Sequence, residues 1–467
     1  MKYTVLGSAV AGILCSIAVP AQAQVVMTDK GRVQGQTADG VESWKGIPYA
    51  RAPIGALRWQ APQPMASWRD TFKATSYGHD CMQLPFPSDA APLGTAPAED
   101  CLKINLWRPA GVRAGAKLPV IVWVHGGGFV NGGSSPPTYA GAALARKGVL
   151  FISFNYRLGR FGTFAHPALS RAGGRGTPAG NYGTMDQLAA LRWVHRNAAA
   201  FGGDTGNVTL MGESAGGMSV HNLLTSPAID AGLVHRAVIM SGGDATASSP
   251  VGPADVEQAG IAFARSKGIA ADDPAAPEKL RSLPGDQVVD GLNLATIFRG
   301  ASGPLNFPKP FADGSVVADV ASAYAAGRFA RVPVMIGFTS GDIGGPGGPM
   351  IAGGKRTADM LFRSRTPVWL YRFSYVAGPG GGDKGAQHAS EIPFFFDTVE
   401  AKYGAAATGR DRKVADIVSR YIVNFARHGN PNGQGAAPWP AYDGTEGREM
   451  DFSAQGEAVV APPGIAR

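Results

Sequence analysis

Cysteine is scarce in this chain, with three in 467 residues, and no paired-cysteine pattern is present that could hold a metal ion. Long apolar runs are also missing. The stretch from Ala9 to Val19 is far shorter than the roughly 20 residues a membrane helix needs, so no integral membrane segment is expected. Charged residues make up only 17% of the chain, and the positive ones are scattered singly, so a formal net charge of +8 forms no basic tract. That pattern speaks for solubility and against a nucleic-acid partner. There is no internal repeat and no phosphate loop with Gly-Lys-Ser/Thr. Gly380-Gly-Gly-Asp-Lys-Gly385 spells a dinucleotide glycine pattern, yet no helix with a suitable acid follows it. No metal and no cofactor is expected.

At the N-terminus, Lys2, the apolar run Ala9 to Val19 and the small residues of Ala21-Gln-Ala23 form the pattern of an export leader, read as residues 1–23. Cys15 follows Leu14 where a lipidated cysteine would need a small neighbour, so no lipid anchor is expected. The mature chain, exported to the periplasm or secreted, would then keep Cys81 and Cys101. In an oxidising compartment an even pair is most economically a disulfide, the alternative being two buried free thiols. A hydrophobic content of 45% suits one large globular enzyme domain over 24–467.

Short strands are expected from Val25 to Val33 and from Val41 to Trp44, followed by a proline-rich extended segment and an alternating strand at Glu99 to Trp107. Leu118-Pro-Val-Ile-Val-Trp-Val124 and Val149 to Tyr156 are near-continuous apolar runs, the sign of strands covered on both faces. Met185, Leu188, Leu191, Val194 and Ala198 recur at helical spacing. A strand at Asn207 to Glu213, another at Ala237 to Met240, and further strands at Val332 to Gly337 and Val368 to Phe373 complete a mostly parallel sheet. Residues 245–327 interrupt the alternation and read as an inserted helical cap. Val414 to Ala426 closes the chain as a helix.

Gly212-Glu-Ser-Ala-Gly216 is the one Gly-x-Ser-x-Gly in the chain. A serine on a sharp turn from strand to helix needs strained dihedrals, and flanking glycines let the backbone approach closely. Ser214 is therefore the candidate nucleophile. Its base must lie beyond a later strand, in the order serine, acid, histidine. His388 stands in the loop after the strand ending at Phe373, whereas His428 closes a helix beside Gly429. Asp342 is the acid expected after the strand ending near Gly337, with Asp383 and Glu391 as competitors. Gly127 and Gly128, after His125, and Ala215 offer backbone N–H groups for an oxyanion. His125 itself reads as structural. Glu213 either supports the imidazolium formed on attack or is a buried structural carboxylate. Asn207-Val-Thr209 is a glycosylation sequon only on paper, because it opens a strand.

Gly46-Ile-Pro-Tyr-Ala50, Glu99-Asp-Cys-Leu102, His125-Gly-Gly-Gly-Phe129, Phe154-Asn-Tyr-Arg157, Gly180-Asn-Tyr-Gly183, Phe201-Gly-Gly-Asp204, Gly212-Glu-Ser-Ala-Gly-Gly217 and His388 together resemble the type-B carboxylesterase family. The resemblance implies an α/β-hydrolase fold and ester hydrolysis without a cofactor. It implies Ser214 and His388 in a triad, an oxyanion hole of Gly127, Gly128 and Ala215, and a Cys81–Cys101 bridge. Asp342 stands where the family usually has glutamate, and the interval to His388 is shorter than usual. Choline-specific members place a tryptophan in the first cysteine loop; none lies between Cys81 and Cys101, so choline esters are not favoured. The expected partner is a small or medium carboxylic ester. A non-catalytic binding protein on the same scaffold and a lipase for longer acyl chains are the alternatives.

Overall fold

The computed structural model describes residues 21–86, 91–172, 180–244, 251–299, 307, 309–378, 384–445 and 448–461. The leader expected over 1–23 lies outside them except for its last three residues, which begin the first strand.

One sheet of thirteen strands runs through the described residues. In chain order the strands are β1 (Ala21–Thr28), β2 (Gly31–Ala38), β3 (Val41–Pro48), β4 (Phe72–Lys73), β5 (Lys103–Pro109), β6 (Leu118–Val124) and β7 (Leu150–Phe154). They continue with β8 (Gly203–Glu213), β9 (Arg236–Met240), β10 (Val334–Thr339), β11 (Val368–Phe373), β12 (Met450–Phe452) and β13 (Ala458–Val460). Their spatial order is β1-β2-β3-β5-β7-β6-β8-β9-β10-β11-β12-β13, with β4 beside β2. Strands from β7 across to β12 pair in parallel; the β1-β2-β3-β5-β7 side and the β12–β13 edge are antiparallel.

The apolar runs form the buried centre, as their composition requires. Val120, Val122 and Val124 of β6 face one core, and Ile121 and Trp123 face the other. Trp123 meets the ring of Phe396 edge-on, with centroids 4.7 Å apart.

Some expected elements differ. Val25 to Val33 is not one strand but β1, a turn at Asp29-Lys30, and the start of β2. β5 does not alternate, because both its faces are covered. Its polar residues point inward to partners: Arg108 pairs with Glu42 at 2.7 Å, and Asn105 accepts from the N–H of Gly46 at 2.9 Å. The segment read as a cap carries five helices among its described residues, Pro253–Ser266, Ala276–Ser282, Gly285–Val289, Leu294–Arg299 and Val320–Ala325.

The chain runs from β6 out to β7 and then back past β6 to β8. Such a reversal opens a crevice at the carboxyl ends of the two diverging strands, where ligands of open α/β sheets bind. Val124 pairs with Gly212 across β6 and β8, so the loops after both strands start side by side.

Cys81 and Cys101 are joined in a disulfide across 20 positions of sequence. The loop it closes packs on the glycine loop after β6. The Gln83 side chain donates to the Gly132 carbonyl at 2.7 Å and accepts from the Gly132 N–H at 3.0 Å. Replacing both cysteines by alanine should lower the unfolding free energy in urea by about 3 kcal/mol, from lost loop constraint. A midpoint unchanged at equal slope would show that the bridge contributes nothing.

Candidate active site

Between Glu213, the last residue of β8, and Ala215, the first of the helix Ala215–Thr225, a single residue turns the chain. Ser214 sits at φ 55° and ψ −122°, a conformation that non-glycine residues rarely adopt and that costs on the order of 1–3 kcal/mol. Its surroundings hold it there. A Cβ on Gly212 would lie 2.4 Å from the Gly216 carbonyl oxygen, and one on Gly216 would lie 2.0 Å from that of Val124. The turn is therefore pressed against itself and against β6, and both positions require glycine. The Ser214 N–H donates to Met240 at 2.9 Å, and its carbonyl accepts from Met218 at 2.8 Å.

The Ser214 hydroxyl lies 2.9 Å from His388 Nε2, and His388 Nδ1 lies 2.6 Å from Asp342 Oδ1. Three residues far apart in sequence thus converge. Aspartate reaches the ring although it is one methylene shorter than glutamate, because the two loops are bonded directly to each other. The Gly341 N–H donates to Ala386 at 2.8 Å, and the Ala386 N–H donates to the Ser340 hydroxyl at 2.9 Å. A side chain on Gly341 would overlap the Lys384 carbonyl at 2.2 Å. Backbone N–H groups of Thr339 and Ile343, at 3.0 and 2.8 Å, hold the Asp342 carboxylate in place.

The competitors stand elsewhere. Glu391 is fully buried and accepts from the Ser241 hydroxyl at 2.7 Å, while Asp383 lies outside the described residues. His428 ends the helix Gly409–His428 with Gly429 at φ 68°, as a helix-terminal histidine. His125 is buried against Tyr156 with ring centroids 4.4 Å apart, and burial pushes its pKa down to about 4. It is a neutral packing residue beneath the glycine loop.

Electrostatics centre on His388. Burial disfavours its charged form, but Glu213, Asp342 and Glu391 outweigh that and raise its pKa to about 9. The charge of Glu213 is the largest single influence raising it, with Oε1 3.3 Å from Nε2, and Glu213 is itself almost fully buried. Burial acts to raise the Asp342 carboxyl, yet the hydrogen bond and charge of His388 prevail and hold it below the usual range. Burial and the Asp342 charge push Glu391 up to about 7.

Gly127 and Gly128 adopt φ 103° and 63°, and the Gly127 carbonyl is bound by the N–H groups of Val130 and Asn131 at 3.1 and 2.9 Å. Among the described residues no internal acceptor takes the N–H of Gly127, Gly128 or Ala215. These donors border a cavity of about 450 Å³ shared with Ser214 and His388. Its walls include Phe86, Phe129, Tyr139, Met218, Leu294, Ile297, Ile343 and Met350, with Lys309 among them. Sequence reasoning did not find these wall residues, since their apolar character alone does not separate them from core. Phe86 could have been suspected from its place in the cysteine loop. A wider groove of about 590 Å³, lined by Arg331, Arg356 and Arg363, includes neither Ser214 nor His388.

A family model described as "Carboxylesterase family" matches residues 22–345 and 349–461. The chain is 33% identical to the para-nitrobenzyl esterase of Bacillus subtilis (strain 168), over 90% of this chain and 92% of that one. It is also 33% identical to the fumonisin B1 esterase of Sphingopyxis macrogoltabida, over 97% of this chain and 92% of that protein. The solved carboxylesterase of Geobacillus stearothermophilus superposes with a TM-score of 0.77 at 31% identity, over 94% of this chain and 98% of that one. With the family matched along nearly all of the described sheet, this chain belongs to the carboxylesterase family and is a carboxylic ester hydrolase of α/β-hydrolase fold.

Proposed function

We propose that this protein is an exported serine esterase that cleaves small to medium carboxylic esters through an acyl-enzyme. The observation carrying the reading is His388, held between the Ser214 hydroxyl at 2.9 Å and the Asp342 carboxylate at 2.6 Å. A serine hydroxyl is a weak nucleophile until a base within hydrogen-bond reach takes its proton. His388 Nε2 takes it as Ser214 Oγ bonds to the ester carbonyl carbon. Asp342 fixes the tautomer with the proton on Nδ1 and stabilises the imidazolium. The carbonyl electrons move onto oxygen, facing the N–H groups of Gly127, Gly128 and Ala215. Collapse of this intermediate breaks the bond to the alcohol oxygen, which leaves with the proton from His388. Water then enters, gives its proton to His388, and releases the acid in the mirror sequence.

Glu213 adds a charge beside the same nitrogen that faces the serine, favouring the cation that forms on attack. Cavity size supports small to medium esters, and the leader pattern with the disulfide supports export.

Ser214→Ala should lower kcat/KM for p-nitrophenyl esters by several orders of magnitude with unchanged folding. Wild type run over increasing acyl length should peak at short to medium chains. Activity climbing with length and rising above the solubility limit would indicate a lipase instead.

As a base, His388 must be neutral, so its raised pKa places the acidic limb of kcat/KM above pH 6.5, with activity rising as pH rises. Glu213→Gln removes the largest charge sustaining that pKa, and the limb should move to lower pH. A limb that stays put or moves upward would contradict the assignment.

A further inference from the structure

The cavity beside Ser214 is walled mostly by apolar side chains, and Lys309 is set among them. Phe86 comes from the disulfide loop, and Leu294 and Ile297 from the cap helix Leu294–Arg299. Asn131 ties that helix to the glycine loop by accepting from the Leu294 N–H at 2.8 Å. Lys309 is half-buried, and among the described residues no carboxylate is paired with it. The acids nearest the reacting serine are already engaged: Asp342 holds one ring nitrogen of His388, and Glu213 lies beside the other.

Withdrawing an ammonium from water into an apolar wall is costly unless an anion meets it there. Burial lowers the Lys309 pKa, and among the described residues no carboxylate raises it again. In a mostly apolar pocket, one convergent charged group fixes orientation and selects the ligand. His388 spends its proton in the reaction, which leaves Lys309 as the fixed cation among the described residues of this lining.

We propose that Lys309 is a specificity residue that pairs with a carboxylate carried on the substrate, so that the preferred substrates are acidic esters. The inference rests on the serine-esterase reading above. Two chemistries could bring the carboxylate: a dicarboxylic half-ester, with the charge on the acyl side, or an ester of a hydroxy acid, with the charge on the leaving alcohol.

The test compares charged and neutral esters of nearly equal shape in two arms. In the acyl arm mono-p-nitrophenyl glutarate is set against p-nitrophenyl methyl glutarate. In the alcohol arm 4-acetoxybenzoate is set against its methyl ester. In wild type, the ratio of kcat/KM for charged over neutral ester should exceed one in at least one arm and fall as salt is added. In Lys309→Met that ratio should drop about tenfold or more, on the scale of about 1.4 kcal/mol per tenfold. Lys309→Arg should keep most of it. The arm that responds identifies the side that carries the charge.

A wild-type preference for the neutral ester in both arms overturns the proposal without need of any variant. So does a ratio that Lys309→Met leaves unchanged in both arms. If wild type cleaves neither the charged nor the neutral ester of either arm, or Ser214→Ala cleaves them equally well, the serine-esterase reading falls and carries this proposal with it. Cleavage that depends on Ser214 but ignores charge removes the Lys309 assignment alone.

Discussion

At Ser214 the chain passes from an extended strand into a helix within one residue, at a φ of 55° that its side chain would not choose. Relaxing this turn would require Gly212, Gly216 and Val124 to part, yet Gly216 is pressed against the Val124 carbonyl and Val124 pairs with Gly212 across β6 and β8 at the centre of the sheet. The strain is therefore sustained by the burial of the strands, where apolar side chains on both faces far outweigh a few kcal/mol. Much follows from the turn. It raises the hydroxyl over the sheet edge, brings the first N–H of the next helix beside the glycine loop, and leaves a cavity between them and the helix Leu294–Arg299.

A second constraint concerns charge. The charges of Glu213, Asp342 and Glu391 favour the protonated form of the His388 imidazole, which in the proposed reaction would lower the cost of the cation formed during attack. The same field makes the free base scarcer at neutral pH. In the proposed reaction the arrangement would exchange the amount of ready base for stabilisation of charge as it develops. Burial and the Asp342 charge in turn push the Glu391 carboxyl upward.

Much of the central sheet was legible because a continuous apolar run such as Leu118 to Val124, too short to cross a membrane, suits a strand covered on both faces. The convergence of Ser214, Asp342 and His388 followed from strand order. What escaped notice had physical reasons. The helix Ile351–Arg363 begins within a glycine-rich stretch that reads as loop. Its glycines serve close packing: a Cβ on Gly353 would fall 2.7 Å from the Asp244 backbone nitrogen, and one on Gly354 would press on the Phe338 ring at 3.2 Å. β12 and β13 have three residues each, too few for a period to show. At β5 the alternation expected over Glu99 to Trp107 is lost because the polar Asn105, like Arg108 just beyond that stretch, is buried with a polar partner. The cavity wall was the least legible part, because Leu294, Ile297 and Lys309 come to line the same cavity as Ser214 only through tertiary placement of segments distant in sequence.

The most direct check is covalent. Intact-mass and peptide analysis after treatment with diisopropyl fluorophosphate should find one phosphoryl group per chain, on Ser214, in wild type, and no comparable labelling in His388→Ala. A label on a different residue, or labelling of Ser214 that is as fast without the imidazole, would contradict a hydroxyl activated by the ring beside it.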